Sequence, residues 1–289
     1  MERTLSKNEA RIILDLEWQG KTTVTLADLN AMLDGSESYA RYMAHRLVKK
    51  GWLERLRPGL YQLVPASRGR DGVADTNPLA AGAVLTSPCF FSFGTACTHH
   101  GLTAQRFSEV YIACRERRKA ETIRGIRYVF VHVPEQQFFG FTEERVLGAP
   151  VQMASLERAL LDAVNRPRYS GGIGEVSLIA MRAAPRVSWD ALTELIGRWG
   201  SSALVQRLGY LMDLHGAIMS ESTKNEFLSI MRPHSKIHLG TRRRWGASGK
   251  LARPWNVVVN VPGEVLVTRD ESGRRRIVLE GMRRTKDRE

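Results

Sequence analysis

Residues 6–64 hold three segments of helix-spaced apolar residues and then two short apolar runs around Arg57-Pro58-Gly59, an order that leaves few folds open. The first segment opens at Ser6, with Asn8 and Glu9 near its start, repeats Ala10, Ile13, Leu14 and Trp18 at helical spacing, and stops at Gly20. Thr25 caps a second helix whose Leu26, Leu29 and Leu33 face one way, with Asp28 in the first turn, where its charge complements the helix dipole. Ser36 caps a third, in which Ala40, Met43, Leu47 and Val48 form the inner stripe and Ser38, Arg41, Tyr42, His45 and Lys49 point outward; Gly51 ends it. Residues 52–56 and 60–64 then read as strands, because Pro fixes the first angle of a type II turn and Gly accepts the positive second one. Three helices followed by a hairpin predict a winged helix-turn-helix.

Only the third helix has an outward face that mixes a fixed cation, a hydroxyl, an aromatic ring and a histidine, which suits a helix lying in a major groove. Arg41 is the candidate base reader, since a guanidinium bonds guanine through two parallel donors. Ser36, Ser38, Tyr42, His45 and Lys49 accompany it, and Arg55 and Arg57 beside the turn can hold phosphates or reach a minor groove. A unit of this shape can also dock another protein without touching DNA. Charge favours the nucleic acid: 43 Lys+Arg against 30 Asp+Glu give a net +13 and a pI near 10.1, the sign expected when a partner carries phosphate. The surplus is uneven, at +4 in residues 1–70, 0 in 71–231 and +9 in 232–289.

At 289 residues the chain is long for one compact domain, and 43% hydrophobic with 25% charged residues is an ordinary globular composition. A Gly-, Ser- and charge-rich stretch around residues 66–72 reads as a linker, which divides the chain into a DNA-binding domain over 1–66, a linker over 67–77 and a larger domain over 78–289. In the larger domain the pattern predicts helices near 79–86 and 91–100, strands at 109–114 and 127–133, and a helix opening at Ser155 and closed by Arg166-Pro167. Further helices fit 174–183, 188–199, 201–215 and 221–231, followed by strands at 255–261 and 264–268 and an Arg-rich tail. The fold class expected is α+β, or mixed α/β, with a winged helix-turn-helix ahead of a helix-rich α/β region. No Asp, Glu, Lys or Arg lies between Asp75 and Arg106, but Pro88, His99, His100 and several hydroxyls divide that stretch, so it predicts buried core elements and no membrane span. Cys89, Cys97 and Cys114 are an odd number behind an N-terminus without an apolar signal region, for which the cytoplasm is the expectation.

Several runs in the middle of the chain resemble a known family. Gly94-Thr-Ala-Cys-Thr-His-His-Gly-Leu-Thr103, Ser155-Leu-Glu-Arg-Ala-Leu-Leu-Asp-Ala163, Arg166-Pro167, and Tyr169-Ser-Gly-Gly-Ile173 are similar in order and spacing to the AbiEi antitoxins of type IV toxin-antitoxin systems. Arg207-Leu-Gly-Tyr-Leu211 looks like a later signature of the same family, and the resemblance fades after about residue 240. It implies a bacterial phage-defence protein whose N-terminal domain represses its own operon on inverted repeats, with room for two protomers, and whose second domain counteracts a nucleotidyltransferase-like toxin without requiring a stable complex. The positions it carries over are His100, Gly101, Arg158, Asp162, Arg166, Pro167, Gly171 and Gly172. A plainer account stays open for them, since Arg158 and Asp162 at i, i+4 can form a helix ion pair of about 0.3–0.5 kcal/mol and glycines can simply turn the chain.

Enzymatic signatures are weak. A restriction-type nuclease needs a second acidic strand motif of Glu/Asp-x-Lys to hold Mg2+, and neither 116–119 nor 221–224 has that spacing. His234 and His238 lack a third zinc ligand, residues 244–251 miss the first glycine and the Ser/Thr of a phosphate loop, and no nucleophile elbow is present. No catalytic residue, metal or cofactor is expected. A nucleic-acid-processing enzyme and a ligand-sensing repressor remain the alternatives from other classes.

Overall fold

The computed structural model describes residues 4–33, 35–68 and 77–267. Contacts divide it into two compact units: the described residues up to Phe91 with Ser108–His132 and Glu143–Met153, and then Ser92–Phe107, Val133–Thr142 and the described residues from Ala154 onward.

The first unit opens with α1 (Lys7–Trp18), β1 (Thr23–Thr25), α2 (Leu26–Leu33), α3 (Glu37–Lys49), β2 (Leu53–Arg57) and β3 (Leu60–Leu63). The caps are those the sequence indicates. Ser6 N–H donates to Glu9 Oε2 at 2.7 Å, Thr25 N–H to Asp28 Oδ2 at 2.8 Å with Asp28 N–H returning to Thr25 Oγ1 at 3.1 Å, and Ser36 Oγ accepts from Tyr39 N–H at 3.3 Å. Ile12, Ile13, Leu16, Leu29, Ala40, Met43 and Leu47 fill the core between the helices; Ala44 joins the inner stripe of α3, and Val48 is only half buried. Gly59 has φ +76°, the positive angle that a type II turn demands of its third residue. β1 is an addition to the expected hairpin: it pairs antiparallel with β3, giving the order β1-β3-β2. A register shift between Arg55 and Arg57 bends β2.

Beyond residue 77 come α4 (Pro78–Ala83), β4 (Cys89–Phe91), α5 (Phe93–His99), β5 (Glu109–Cys114), β6 (Glu121–Ile123), β7 (Ile126–His132), β8 (Phe141–Val146) and β9 (Ala149–Ala154). The strands form a mixed six-stranded sheet in the order β6-β7-β5-β4-β9-β8, with β5 parallel to β7 and antiparallel to β4. β4, β6, β8 and β9 lie outside the expected strands: β4 takes the start of the helix expected over 91–100, which shortens it to α5. The uncharged stretch is shared among α4, β4 and α5, and no helix of the described residues is long and apolar enough to cross a membrane.

The remaining elements are α6 (Leu156–Asn165), α7 (Ile173–Ala183), α8 (Trp189–Trp199), α9 (Ser202–Leu214), α10 (Glu221–Ile230), β10 (Ile237–His238), α11 (Arg242–Trp245), β11 (Lys250–Ala252), β12 (Val257–Val259) and α12 (Gly263–Leu266). Three of the strands make a small sheet in the order β10-β12-β11. α9 packs on this segment where it has no side chain: a Cβ on Gly209 would collide with the buried Trp255 ring, whose Nε1–H donates to Asp213 at 2.5 Å. Two expectations change here. The strand expected over 264–268 is the helical turn α12, opened by Pro262 with Glu264 in its first turn, and Leu266 O accepts a 2.7 Å bond from Ser177. The Arg-rich tail is folded from Arg242 to Val267, and its remainder lies outside the described residues, as does most of the expected linker. The fold is a winged helix-turn-helix followed by a helix-rich α/β region.

Candidate nucleic-acid interface

The exposed face of α3 carries Ser36, Ser38, Arg41, Tyr42, His45 and Lys49, all six on the outside as their spacing requires. Two further residues share it. Glu37, one turn before Arg41, accepts from the guanidinium at 2.5 Å, and both side chains remain more than 60% exposed. Tyr39 stacks on Tyr42 with ring centres 6.3 Å apart and planes 23° apart, and the Tyr42 hydroxyl accepts from Arg46 at 3.3 Å. The face therefore offers a guanidinium steadied by a carboxylate, a tyrosine pair, an imidazole and a lysine. The i, i+3 and i, i+4 spacings of Tyr39-Tyr42-Arg46 and Glu37-Arg41 were the signal available in the sequence for these partners.

The other end of α3 is fixed from beneath. Glu9, fully buried on α1, accepts from Lys50 at 2.6 Å and forms an ion pair with Arg46, whose Nε lies 3.0 Å from its other oxygen, close to the last turn of α3. Burial alone would raise its carboxyl, but the bonds from Lys50 and Ser6 outweigh that and hold it at about 2, against an ordinary 4.5. Thus Arg46 and Lys50 serve the orientation of α3 on α1.

The two wing arginines differ. Arg55 is exposed, whereas Arg57 is half buried with Nε 3.9 Å from Glu121 of β6. Glu54 on the same strand pairs with Arg124, between β6 and β7. Two ion pairs of opposite sense thus join the wing to the β6–β7 hairpin, and Arg57 is committed in a way that Arg55 is not.

The positions carried by the family resemblance lie in the second unit, where they hold elements together. Arg158 is fully buried. It donates from Nε to Asp162 at 2.8 Å and from one terminal nitrogen to the carbonyls of Gln137 and Phe139 at 2.7 and 2.8 Å, and its guanidinium lies 4.4 Å from the Trp199 ring centre. Asp162 also accepts from Ser92 at 2.5 Å. An exposed helix ion pair is therefore not what this spacing makes: the pair is buried, with its polar capacity spent on α6 and its neighbours. His100 ends α5, its Nε2 2.7 Å from Ala154 O and its own carbonyl accepting from Arg186, and Gly101 continues the turn at φ +66°. Arg166 caps α6, Pro167 O accepts from Gly172 N–H at 2.8 Å, and Gly171 and Gly172 lead into α7 at φ +81° and +89°. A Cβ at Gly171 would meet Gln105 and Glu175, so that glycine is required by space as well as angle. Burial pushes the Cys97 thiol up and the Cys89 thiol up to about 11, away from nucleophile chemistry. Among the described residues no three His, Cys, Asp or Glu side chains gather as a metal site.

Residues 11–64 match the family model of the AbiEi antitoxin transcriptional regulators. Over these residues the N-terminal domain is similar to that AbiEi family. The AbiEi match contains all eight candidate DNA-contacting residues and none of the positions from His100 to Gly172. No curated protein matches the chain. A solved structure, the RV2827C protein from Mycobacterium tuberculosis, is similar in fold at TM-score 0.58 and 17% identity, over 89% of this chain and 92% of that one. The shared fold thus extends well past the AbiEi-matched segment.

Proposed function

We propose that the chain is a DNA-binding transcriptional autorepressor and the antitoxin of a bacterial type IV, abortive-infection system, acting in the cytoplasm against a nucleotidyltransferase-like toxin. The observation that carries the proposal is the outward face of α3, with Arg41, Tyr42, His45 and Lys49 on one side of a helix inside an AbiEi-matched domain. α3 enters a major groove of an inverted-repeat operator. Arg41 and Glu37 then meet base edges, Ser36, Ser38 and Lys49 meet phosphates at either end, and Arg55 on the wing adds one backbone contact. Two protomers, one on each half-site, match the symmetry of such an operator.

The proposed division of labour runs along the chain, with residues 1–66 reading DNA, 67–77 linking, and 78–289 counteracting the toxin without a stable complex. Arg158, Asp162, Gly171 and Gly172 contribute to that second task by holding α5, α6 and α7 in place. His100, Gly101, Arg166 and Pro167 shape the turns at the ends of α5 and α6. No catalytic step is assigned to any of them. The test is double: a reporter under the chain's own promoter reads repression, and co-expression with the neighbouring nucleotidyltransferase gene reads neutralisation. Loss of repression with retained rescue in the Arg41→Ala, Lys49→Ala double variant supports the division. Rescue that fails in parallel with repression would contradict it.

A further inference from the structure

We infer that the segment from Arg232 to Arg253 is a second DNA-binding surface, one that grips the phosphate backbone of a duplex without reading its sequence. Between Glu226 and Glu264 the chain has no acidic residue and seven Lys or Arg. Arg232, Lys236, Arg242, Arg243, Arg244 and Lys250 are all exposed, and none has an acidic partner among the described residues. Exposed like charge gathered in this way raises a positive local field that attracts a polyanion.

The segment is built to hold that charge in place. Asn260, buried on the strand side, accepts from Gly240 N–H at 2.9 Å and donates to the carbonyls of Gly240 and Gly246 at 3.2 and 2.8 Å. It thereby clamps both ends of the stretch that carries Arg242, Arg243 and Arg244. His238 Nε2 lies 3.0 Å from Ala247 O, and Gly240 and Gly249 are packed so closely under Trp245 and against Val259 that neither position has room for a Cβ. Three consecutive arginines on one helical turn spread over about 200°. Such a fan suits successive phosphates, each of which a guanidinium can bond through two donors.

The chemistry favours a duplex over a lipid surface or a single strand. No large apolar side chain of this segment is exposed, so it has nothing to insert into a lipid surface. Trp245 is half buried with Arg244 5.1 Å from its ring centre, which leaves no free aromatic platform of the kind single strands require. The premise of DNA binding is shared with the proposed function, and the experiment separates the two.

Full-length protein with Arg242→Gln, Arg243→Gln and Arg244→Gln is compared with the parent by fluorescence anisotropy on a short duplex of unrelated sequence, between about 50 and 200 mM salt. The salt slope is expected to fall by about 2 to 3 and the affinity by tenfold or more, with an unchanged thermal melt because all three side chains are exposed. A Lys236→Gln, Lys250→Gln variant should lower the slope by about 1 to 2. Unchanged slope and affinity in both variants would overturn the inference, and so would a loss confined to an RNA hairpin or to anionic vesicles. If these variants lose unrelated DNA while Arg41→Ala and Lys49→Ala leave operator binding intact, the proposed function falls and this inference stands; the reverse pattern overturns this inference alone.

Discussion

Glu9 shows how much of a candidate recognition surface is decided by a buried residue. It draws Arg46 and Lys50 down onto α1 and so sets which face of α3 is presented. Its carboxyl sits at about 2 in the folded chain against 4.5 ordinarily. The stabilisation is therefore complete above pH 4.5 and drains away as the pH falls toward 2. Glu9→Gln should cost about 1.5–3 kcal/mol near neutral pH, and the gap between variant and parent should close between pH 4.5 and 2, followed by urea denaturation at each pH. Asp162 is the corresponding residue of the second unit. Asp162→Asn leaves the Arg158 guanidinium buried beside a neutral group and should destabilise by about 3–5 kcal/mol, readable as a lowered denaturation midpoint.

Among elements, the wing makes the sharpest distinction. Arg55 and Arg57 look equivalent in the sequence, yet Arg57 is half buried against Glu121, and Glu54 is bound to Arg124. Arg55→Ala should reduce the salt slope of operator binding by about 0.9, the value of one phosphate contact, and Arg57→Ala by clearly less. Equal reductions would mean that Arg57 leaves Glu121 to bind DNA. The three helices and hairpin of this domain were legible because each signal is local: a cap, a 3.6-residue stripe, a Pro-Gly turn; only the inner face of α1 differs, since Leu14 and Trp18 are exposed and Ile12 and Leu16 are buried with Ile13. The outward face of α3 was legible for the same reason. What escaped was set by distant partners or by brevity: β1 has three residues, too few to show alternation, and exists because β3 offers it an edge. β10, β11 and β12 are as short, with two or three residues each. Nothing near Glu9 in sequence announces Lys50, and nothing in Arg158-x-x-x-Asp162 distinguishes a solvated helix pair from a buried one.

For the molecule as a whole, net charge turned from a general sign into two located surfaces. The N-terminal surplus is divided between cations that hold the domain together, Arg46, Lys50 and Arg57, and cations that face outward, Arg41, Lys49 and Arg55. The C-terminal surplus is in part a folded surface, held by Asn260. If α3 reads sequence and the C-terminal segment grips the backbone, as proposed, specificity and general affinity should be lost separately. The measurement that bears most directly on the proposed function is titration of the chain's own promoter fragment with parent, Arg41→Ala and Lys49→Ala proteins at fixed salt. Arg41→Ala should weaken operator binding by about 1–3 kcal/mol while binding to unrelated DNA is nearly kept, and Lys49→Ala should weaken both alike. Operator affinity unchanged in both variants would contradict the proposed function.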